Sequence, residues 1–122
     1  MATRSTIAMI AEDGETIRSV YCHWDGYPEG VGAILREHYT DPAKIERLLD
    51  IGDISSLRED IGEQHDFDSA RDVTTFYGRD RGEIGVYALP HMNIDGWLAL
   101  RKGNGCEYGY LWNGKHWHTF YI

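Results

Sequence analysis

Two turn dipeptides, Asp13-Gly14 and Asn113-Gly114, constrain the fold of this 122-residue chain more than any other sequence feature. Each lies between two runs rich in β-branched or aromatic residues. The four runs are residues 3–11, 16–24, 106–112 and 115–122. Asn, Asp and Gly accept the positive φ angles of two-residue hairpin turns, so this pattern predicts an antiparallel hairpin near each end of the chain.

The first hairpin has a register that follows from its turn. Pairing outward from Asp13-Gly14 places Ile7 opposite Val20. One face then carries Ile7, Met9, Val20, Cys22 and Trp24, and it is predicted to face the core. Side chains alternate along a strand, so His23 points away from Cys22. The adjacent Cys22-His23 pair therefore cannot act together as nucleophile and base.

The second hairpin is predicted to be strongly aromatic. A two-residue Asn-Gly turn places Trp112 opposite Lys115 and Tyr110 opposite Trp117. Ten of the 15 aromatic residues follow residue 72. Two explanations stay open: cross-strand aromatic pairs that stabilise a small sheet, or rings that hold a nucleobase with help from nearby arginines.

The middle of the chain mixes helical and strand patterns. Apolar spacing and Pro28 predict a helix over residues 29–39, and Asp41-Pro42 and Gly52 bound a second helix. Residues 52–72 are predicted to be a loop with a short helical turn. Strands are predicted at residues 73–78, 83–89 and 96–101, with a turn at residues 79–82 and a strand end at Pro90.

Together these segments predict one α+β domain over residues 1–122. Its antiparallel sheet is built from the N- and C-terminal hairpins plus the central strands and is covered by a helical hairpin. Two short helices cover only one face of such a sheet. The exposed aromatic face predicts a homo-oligomer, since monomers rarely leave so much apolar surface uncovered.

The uneven distribution of charge along the chain limits the kinds of molecule that the protein can bind. Residues 1–72 carry 16 acidic and 7 basic side chains, whereas residues 73–122 carry 4 and 5. An acidic half of this kind argues against direct nucleic-acid binding, which requires Lys and Arg at phosphates. No apolar run approaches the length of a membrane helix, and two cysteines are too few for a secreted disulfide framework. We therefore expect a cytoplasmic protein that binds neither nucleic acid nor membrane.

The histidines and cysteines are the candidates for metal binding and catalysis. His116-x-His118 places two imidazoles on one strand face, and His23 or His91 is a possible third zinc ligand, but no further zinc motif accompanies them. Cys106 follows a glycine-rich loop without the surroundings of a nucleophilic thiol. We predict no catalytic residue, metal or cofactor.

The glycines between the first hairpin and the first helix have two possible roles. Gly26, Gly30 and Gly32 lie where a strand ends and a helix begins, and free backbone N–H groups in such a place can cradle an anion. Close packing of the helix against the strand requires glycines equally well. Both interpretations stay open from the sequence.

Three segments carry a resemblance to known proteins. They are YCHWDGYPEGVGAILREHY, IERLLDIGDISSL and TFYGRDRGE. This set resembles a group of small proteins encoded by tailed bacteriophages, with the similarity covering residues 6–83 and the aromatic C-terminal hairpin fitting as well. The resemblance implies an accessory protein that acts against host defence inside the bacterial cell.

Two turns are the candidate binding site for a small anionic, nucleotide-like ligand. The predicted ligand-binding residues are Trp24, Asp25, Gly26, Tyr27, Tyr77, Arg79 and Arg81. Their rings and guanidinium groups suit the sequestration of a cyclic nucleotide or cyclic ADP-ribose type signal.

Two alternative functions stay open. In the first, the acidic half inhibits a host defence protein such as a nuclease or a CRISPR or restriction effector. In the second, the protein is a signal-degrading hydrolase, and its machinery is His23, Asp25, His116 and His118.

Overall fold

Seven strands form one mixed sheet in the computed structural model, which describes residues 2–69 and 72–122. The strands are β1 (Ser5–Ile10), β2 (Ile17–Cys22), β3 (Ile54–Ser56), β4 (Thr75–Phe76), β5 (Leu89–His91), β6 (Tyr108–Trp112) and β7 (Trp117–Tyr121). The helices are α1 (Ala33–His38), α2 (Pro42–Ile51), α3 (Tyr77–Arg81) and α4 (Ile94–Gly103), and a π-helical turn at Pro28–Gly32 leads into α1. The predicted α+β class is confirmed. Among the described residues, no helix combines the length and apolarity of a membrane crossing.

The two terminal hairpins form the centre of the sheet. Strand order is β4-β3-β2-β1-β6-β7, and β1 pairs with β6 in parallel. The outer edge of β2 is divided between two partners. β5 pairs with residues 17–19, and β3 pairs in parallel with Cys22. The sheet therefore splits beside residues 20 and 21.

The register of the first hairpin is confirmed. Ile7 pairs with Val20, and both side chains are fully buried. Asp13 fixes the turn, because its Oδ1 atom accepts hydrogen bonds from the backbone N–H groups of Glu15 and Thr16, both at 2.8 Å. Local turn chemistry and core burial therefore select the same pairing.

The second hairpin forms, but its predicted register is wrong by two residues. Trp112 lies opposite Trp117 rather than Lys115. The reason is the Asn113 side chain, whose Oδ1 atom accepts hydrogen bonds from the backbone N–H groups of Lys115 (2.9 Å) and His116 (2.8 Å). Residues 113–116 therefore lie between the two strands, four residues instead of the predicted two. A shift of two preserves the alternation of faces, so the aromatic face is retained.

The central segment is where the predictions fail. The predicted strand at residues 96–101 is helix α4, which begins where Asn93 Oδ1 accepts the N–H of Gly96 at 2.8 Å. Residues 83–88 form no strand, and Pro90 lies within β5 rather than ending a strand. Residues 54–56, predicted as loop, form β3, and the predicted turn at residues 79–82 is largely α3.

Core side chains lie on both faces of the sheet. Helices α1 and α2 cover one face, where Leu35, Leu48 and Tyr110 are fully buried. Helix α4 covers the other face and inserts Trp97, which is also fully buried. The prediction of a homo-oligomer rests on one uncovered face of the sheet, and helix α4 covers that face. Oligomeric state itself stays a prediction.

Gly52, at the C-terminal end of α2, provides a sharp test of backbone packing. Its φ angle is +113°, and an added Cβ would collide with the carbonyl oxygen of Val86. Gly82 has φ +78° with open space around it. We expect Gly82→Ala to lower the free energy of unfolding by about 1–2 kcal/mol through left-handed strain alone. Gly52→Ala should lower it by clearly more, since strain and collision add.

Chemical denaturation of the two glycine variants measures this difference. Gly82→Ala serves as the control for left-handed strain without a collision, because Gly82 has ψ +18°, whereas Gly52 has ψ −156° in a region essentially restricted to glycine. Equal losses of stability in the two variants would refute the close approach of Val86 to Gly52.

Candidate functional site

The corner after β2 is held in place by backbone hydrogen bonds. Asp25 adopts a left-handed conformation, with φ +56°, which Asp tolerates better than most residues. The N–H of Gly26 donates to Thr3 O at 2.8 Å, and its carbonyl accepts from the Tyr110 hydroxyl at 2.6 Å. A Cβ on Gly26 would lie 2.7 Å from atoms of Thr3 and Ser5. These hydrogen bonds and close contacts fix the backbone that follows Trp24.

The predicted anion cradle does not present the backbone donors expected of it. The N–H of Gly26 is used by Thr3, and the N–H of Gly30 donates to Tyr27 O at 2.9 Å. A Cβ on Gly30 would collide with the carbonyl oxygen of Asp25. At both positions close packing accounts for glycine, which was the other explanation left open by the sequence.

Trp24 borders a depression of about 300 Å³. Its indole is 44% exposed, and its ring meets His23 edge-on with centroids 4.7 Å apart. Backbone pairing brings β3 alongside, because the N–H of Trp24 donates to Ser55 O at 3.0 Å. The depression is lined by Trp24, Asp25, Ser55, Ser56, Arg58, Phe67, Ser69 and Thr75. Two of the eight lining residues are aromatic, and four carry hydroxyl groups.

Arg79 lies inside the protein network rather than at the depression. Its guanidinium makes five hydrogen bonds, two of them to the Asp80 carboxylate at 2.9 and 3.1 Å. The other three go to the carbonyl oxygens of Ile61 (3.0 Å), Gly62 (2.9 Å) and Thr74 (2.8 Å). Each of its five N–H groups is therefore used by the protein, which leaves none for a ligand.

Arg81 stays on the surface and stacks on aromatic rings. Its guanidinium lies 4.4 Å from the Phe67 ring centroid and 5.0 Å from that of Tyr77, and it forms an ion pair with Glu83. Phe67 also lines the Trp24 depression. The two predicted turns therefore meet through Phe67, a residue that sequence reasoning did not select.

Other residues of the predicted site have definite positions. The Tyr27 hydroxyl donates to Asp25 at 3.4 Å, and Tyr77 packs on Phe67 with centroids 5.6 Å apart. Sequence reasoning missed the residues that β3, the following loop and β4 bring in, namely Ser55, Ser56, Arg58, Phe67, Ser69 and Thr75. Phe67 carried a weak signal as a lone aromatic residue in an acidic segment.

Both thiols are buried. Burial raises the pKa of Cys22 to about 12 and that of Cys106 to about 11, so neither is a thiolate near neutral pH. His116 and His118 lie in the C-terminal hairpin, where Asn113 contacts His118 Nε2 at 2.8 Å. Residues 2–69 and 72–122 contain no group of three His, Cys, Asp or Glu side chains arranged for a metal ion.

Comparison with known proteins gives no relative from which a function can be transferred. No family model, no curated protein and no solved structure matches this chain. The resemblance to small phage proteins accordingly stays a prediction. Function must be argued from the geometry of the Trp24 depression and its surroundings.

Proposed function

We propose that the protein binds a small nucleotide-like ligand in the Trp24 depression. The observation that carries the proposal is a cavity of about 300 Å³ whose lining includes two aromatic residues, the partly exposed Trp24 and Phe67. Stacking of a base on an aromatic ring contributes about 1–3 kcal/mol and tolerates every base. The rigid Gly26 corner fixes the Trp24 backbone, which lowers the entropy lost on binding.

The remaining lining residues suit the polar parts of such a ligand. Ser56 and Thr75 offer hydroxyl groups for hydrogen bonds to sugar and base edges. The Ser69 hydroxyl donates to Asp66 O at 3.0 Å and can still accept from a ligand. Arg58 is exposed at the rim and supplies a positive charge for a phosphate. Arg79 has no place in this proposal, because its donors are already used, and Arg81 contributes by supporting Phe67.

The biological role that we propose is sequestration. A phage accessory protein that holds a cyclic dinucleotide or a cyclic ADP-ribose isomer withdraws that signal from host defence. Binding alone is sufficient for this role. The proposal is supported by the recognition groups around Trp24 and by the predicted phage origin.

Trp24→Ala tests the proposal. We expect this change to weaken binding of the recognised cyclic nucleotide by about 5- to 150-fold, which is the stacking contribution expressed as an affinity ratio. Isothermal titration with cyclic dinucleotides and cyclic ADP-ribose isomers measures the change. Trp24→Phe should recover most of the affinity because it keeps an aromatic face.

Tyr121→Ala is the matched control for this experiment. Tyr121 is 76% exposed on the edge strand β7 and does not line the depression. Its removal should leave affinity unchanged. The proposal fails if none of these ligands binds, or if the Trp24 and Tyr121 variants bind equally well.

A second candidate function is inhibition of a basic host protein. It is favoured by exposed carboxylates along α1, α2 and the loop that follows β3. They are Glu37, Asp41, Glu46, Asp50, Glu59, Asp60, Glu63, Asp66 and Asp68. A surface of this charge attracts a nucleic-acid channel lined by Lys and Arg. Retention of a host nuclease at low salt and its release at high salt would favour this candidate instead.

A further inference from the structure

The guanidinium of Arg101 is almost completely buried at the end of helix α4. The residue is 3% exposed. Its Nε and Nη2 atoms donate to Ser19 Oγ and Ser19 O, both at 3.0 Å, and its Nη1 atom donates to Asn104 Oδ1 at 3.1 Å. These bonds fix the orientation of the side chain.

Arg101 differs from Arg79 in how many donors it uses. Its three bonds leave two N–H groups, one on each terminal nitrogen, without a partner among residues 2–69 and 72–122. In the same part of the chain, no carboxylate lies within 4.0 Å of its nitrogens, whereas Arg79 has Asp80 at 2.9 Å. Burial of a charge without a close counter-charge costs several kcal/mol. Each terminal nitrogen therefore keeps one N–H for a ligand, and two such donors on one guanidinium suit a pair of acceptor atoms.

Asp53 and Arg101 line the same cavity, which lies where the sheet splits beside β2. Its Oδ1 atom accepts the backbone N–H of Tyr21 at 2.9 Å, a donor that has no strand partner at that point. Its second carboxylate oxygen has no hydrogen-bond partner within the described ranges. The cavity measures about 380 Å³ and is lined by Tyr21, Asp53, Leu89, Arg101 and Asn104. Its lining therefore combines free donors on Arg101 with a free acceptor on Asp53.

We propose that this cavity binds a guanine base. Guanine carries two acceptors, O6 and N7, side by side, and an Arg fork is the commonest partner of that pair. Its neighbouring edge carries the N1–H and N2–H donors, which suit the free oxygen of Asp53. The amide of Asn104 adds a donor toward the acceptor edge, and Tyr21 and Leu89 provide apolar contact. Adenine has an acceptor at N1 where guanine has a donor. It would place a lone pair against the free oxygen of Asp53, so we expect it to bind more weakly.

This site goes beyond the proposed function. It shares no lining residue with the Trp24 depression, so either site can be present without the other. Free guanosine is the appropriate probe, because it carries the base without the phosphates that other cationic groups attract. We expect guanosine to bind at least 10-fold more tightly than adenosine in calorimetric titration.

Asp53→Asn is the decisive variant. The carboxamide keeps an oxygen for the Tyr21 N–H but replaces the free acceptor with a donor. Guanosine binding should fall at least 10-fold, and xanthosine should gain affinity, because xanthine has a carbonyl where guanine has its N2 amino group. Burial raises the pKa of Asp53, but the charge of Arg101 opposes this effect, so the neutral side chain removes both a desolvation cost and an attraction to Arg101. We therefore expect this variant to fold, with a Tm close to that of the unchanged protein.

Two further variants make the result unambiguous. Asn104→Ala removes an exposed amide of the lining and should weaken guanosine binding several-fold, which tests the site even if the Asp53 variant is unstable. Trp24→Ala removes base stacking at the Trp24 depression, and this variant should still bind guanosine at least 10-fold more tightly than adenosine, which separates the two sites. Equal binding of guanosine and adenosine, absence of guanosine binding, or unchanged selectivity in Asp53→Asn would overturn the proposal.

Discussion

Asp80→Ala is expected to lower the free energy of unfolding by about 3–5 kcal/mol, the loss seen when one partner of a buried ion pair is removed. The Asp80 side chain is fully buried. Besides Arg79, its carboxylate accepts the backbone N–H groups of Phe76 at 2.8 Å and His65 at 3.0 Å. The alanine variant leaves the charge of Arg79 and both N–H groups without this acceptor.

Urea denaturation of the variant measures the effect, with Arg81→Ala as its control. Arg81 and Glu83 also form an ion pair, but both side chains are more than 40% exposed. Loss of an exposed pair costs about 0–1 kcal/mol. If Asp80→Ala and Arg81→Ala destabilise the protein equally, the buried network does not hold residues 61–65 against residues 74–80.

The same variant has a signature in its pH dependence. Burial alone would raise the pKa of Asp80, but hydrogen bonds from Arg79, Phe76 and His65, with the charge of Arg79, outweigh burial and lower the pKa. A depressed carboxyl pKa contributes stability above its unfolded value of about 3.9. That stability is lost as the pH falls through the folded pKa. Asp80→Ala should lack this acid-dependent component.

Trp97→Ala is expected to lower the free energy of unfolding by about 3–5 kcal/mol as well, through cavity formation. Trp97 is fully buried between helix α4 and the sheet, and its ring lies edge-on to Phe120 with centroids 5.6 Å apart. Its Nε1 atom donates to Thr6 Oγ1 at 3.0 Å. Loss of the side chain removes both the packing and the hydrogen bond.

Two comparison variants separate these contributions. Trp97→Phe keeps much of the ring and loses the N–H donor, so its loss should be smaller than that of alanine. Leu100→Ala changes a side chain that is 44% exposed on the same helix and should cost less than 1 kcal/mol. A Trp97→Ala loss no greater than that of Leu100→Ala would contradict the assignment of α4 as the cover of the second sheet face.

The predictable parts of the fold are those encoded by neighbouring residues. The first hairpin follows from Asp13-Gly14, and helix α2 follows from Asp41, which caps it through the N–H of Ala43 at 3.0 Å. Helix α4 was missed although Asn93 is a good N-cap, because its interior carries Gly96 and its buried residues are few. Its burial of Trp97 is a tertiary effect that local propensity does not report.

The candidate site also combines residues that a local pattern predicts with residues that only the tertiary fold brings in. Trp24 and Asp25 were selected from their own turn, and both line the depression. Phe67 and Arg58 reach it only because β3 pairs in parallel with β2, which joins positions more than 30 residues apart in the sequence. The five bonds of Arg79 depend equally on loop residues remote from its own turn. Contacts over such distances are set by packing rather than by any local pattern.

The parallel pairing of β1 with β6 has a consequence for how the protein is made. Synthesis begins at the N-terminus, and the first hairpin emerges long before its partner strand at residues 108–112. Until then, β1 presents an open row of backbone donors and acceptors to neighbouring nascent chains. The C-terminal hairpin therefore covers the open edge of β1 only at the end of synthesis. Ribosomal stalling before residue 108 should leave an aggregation-prone intermediate.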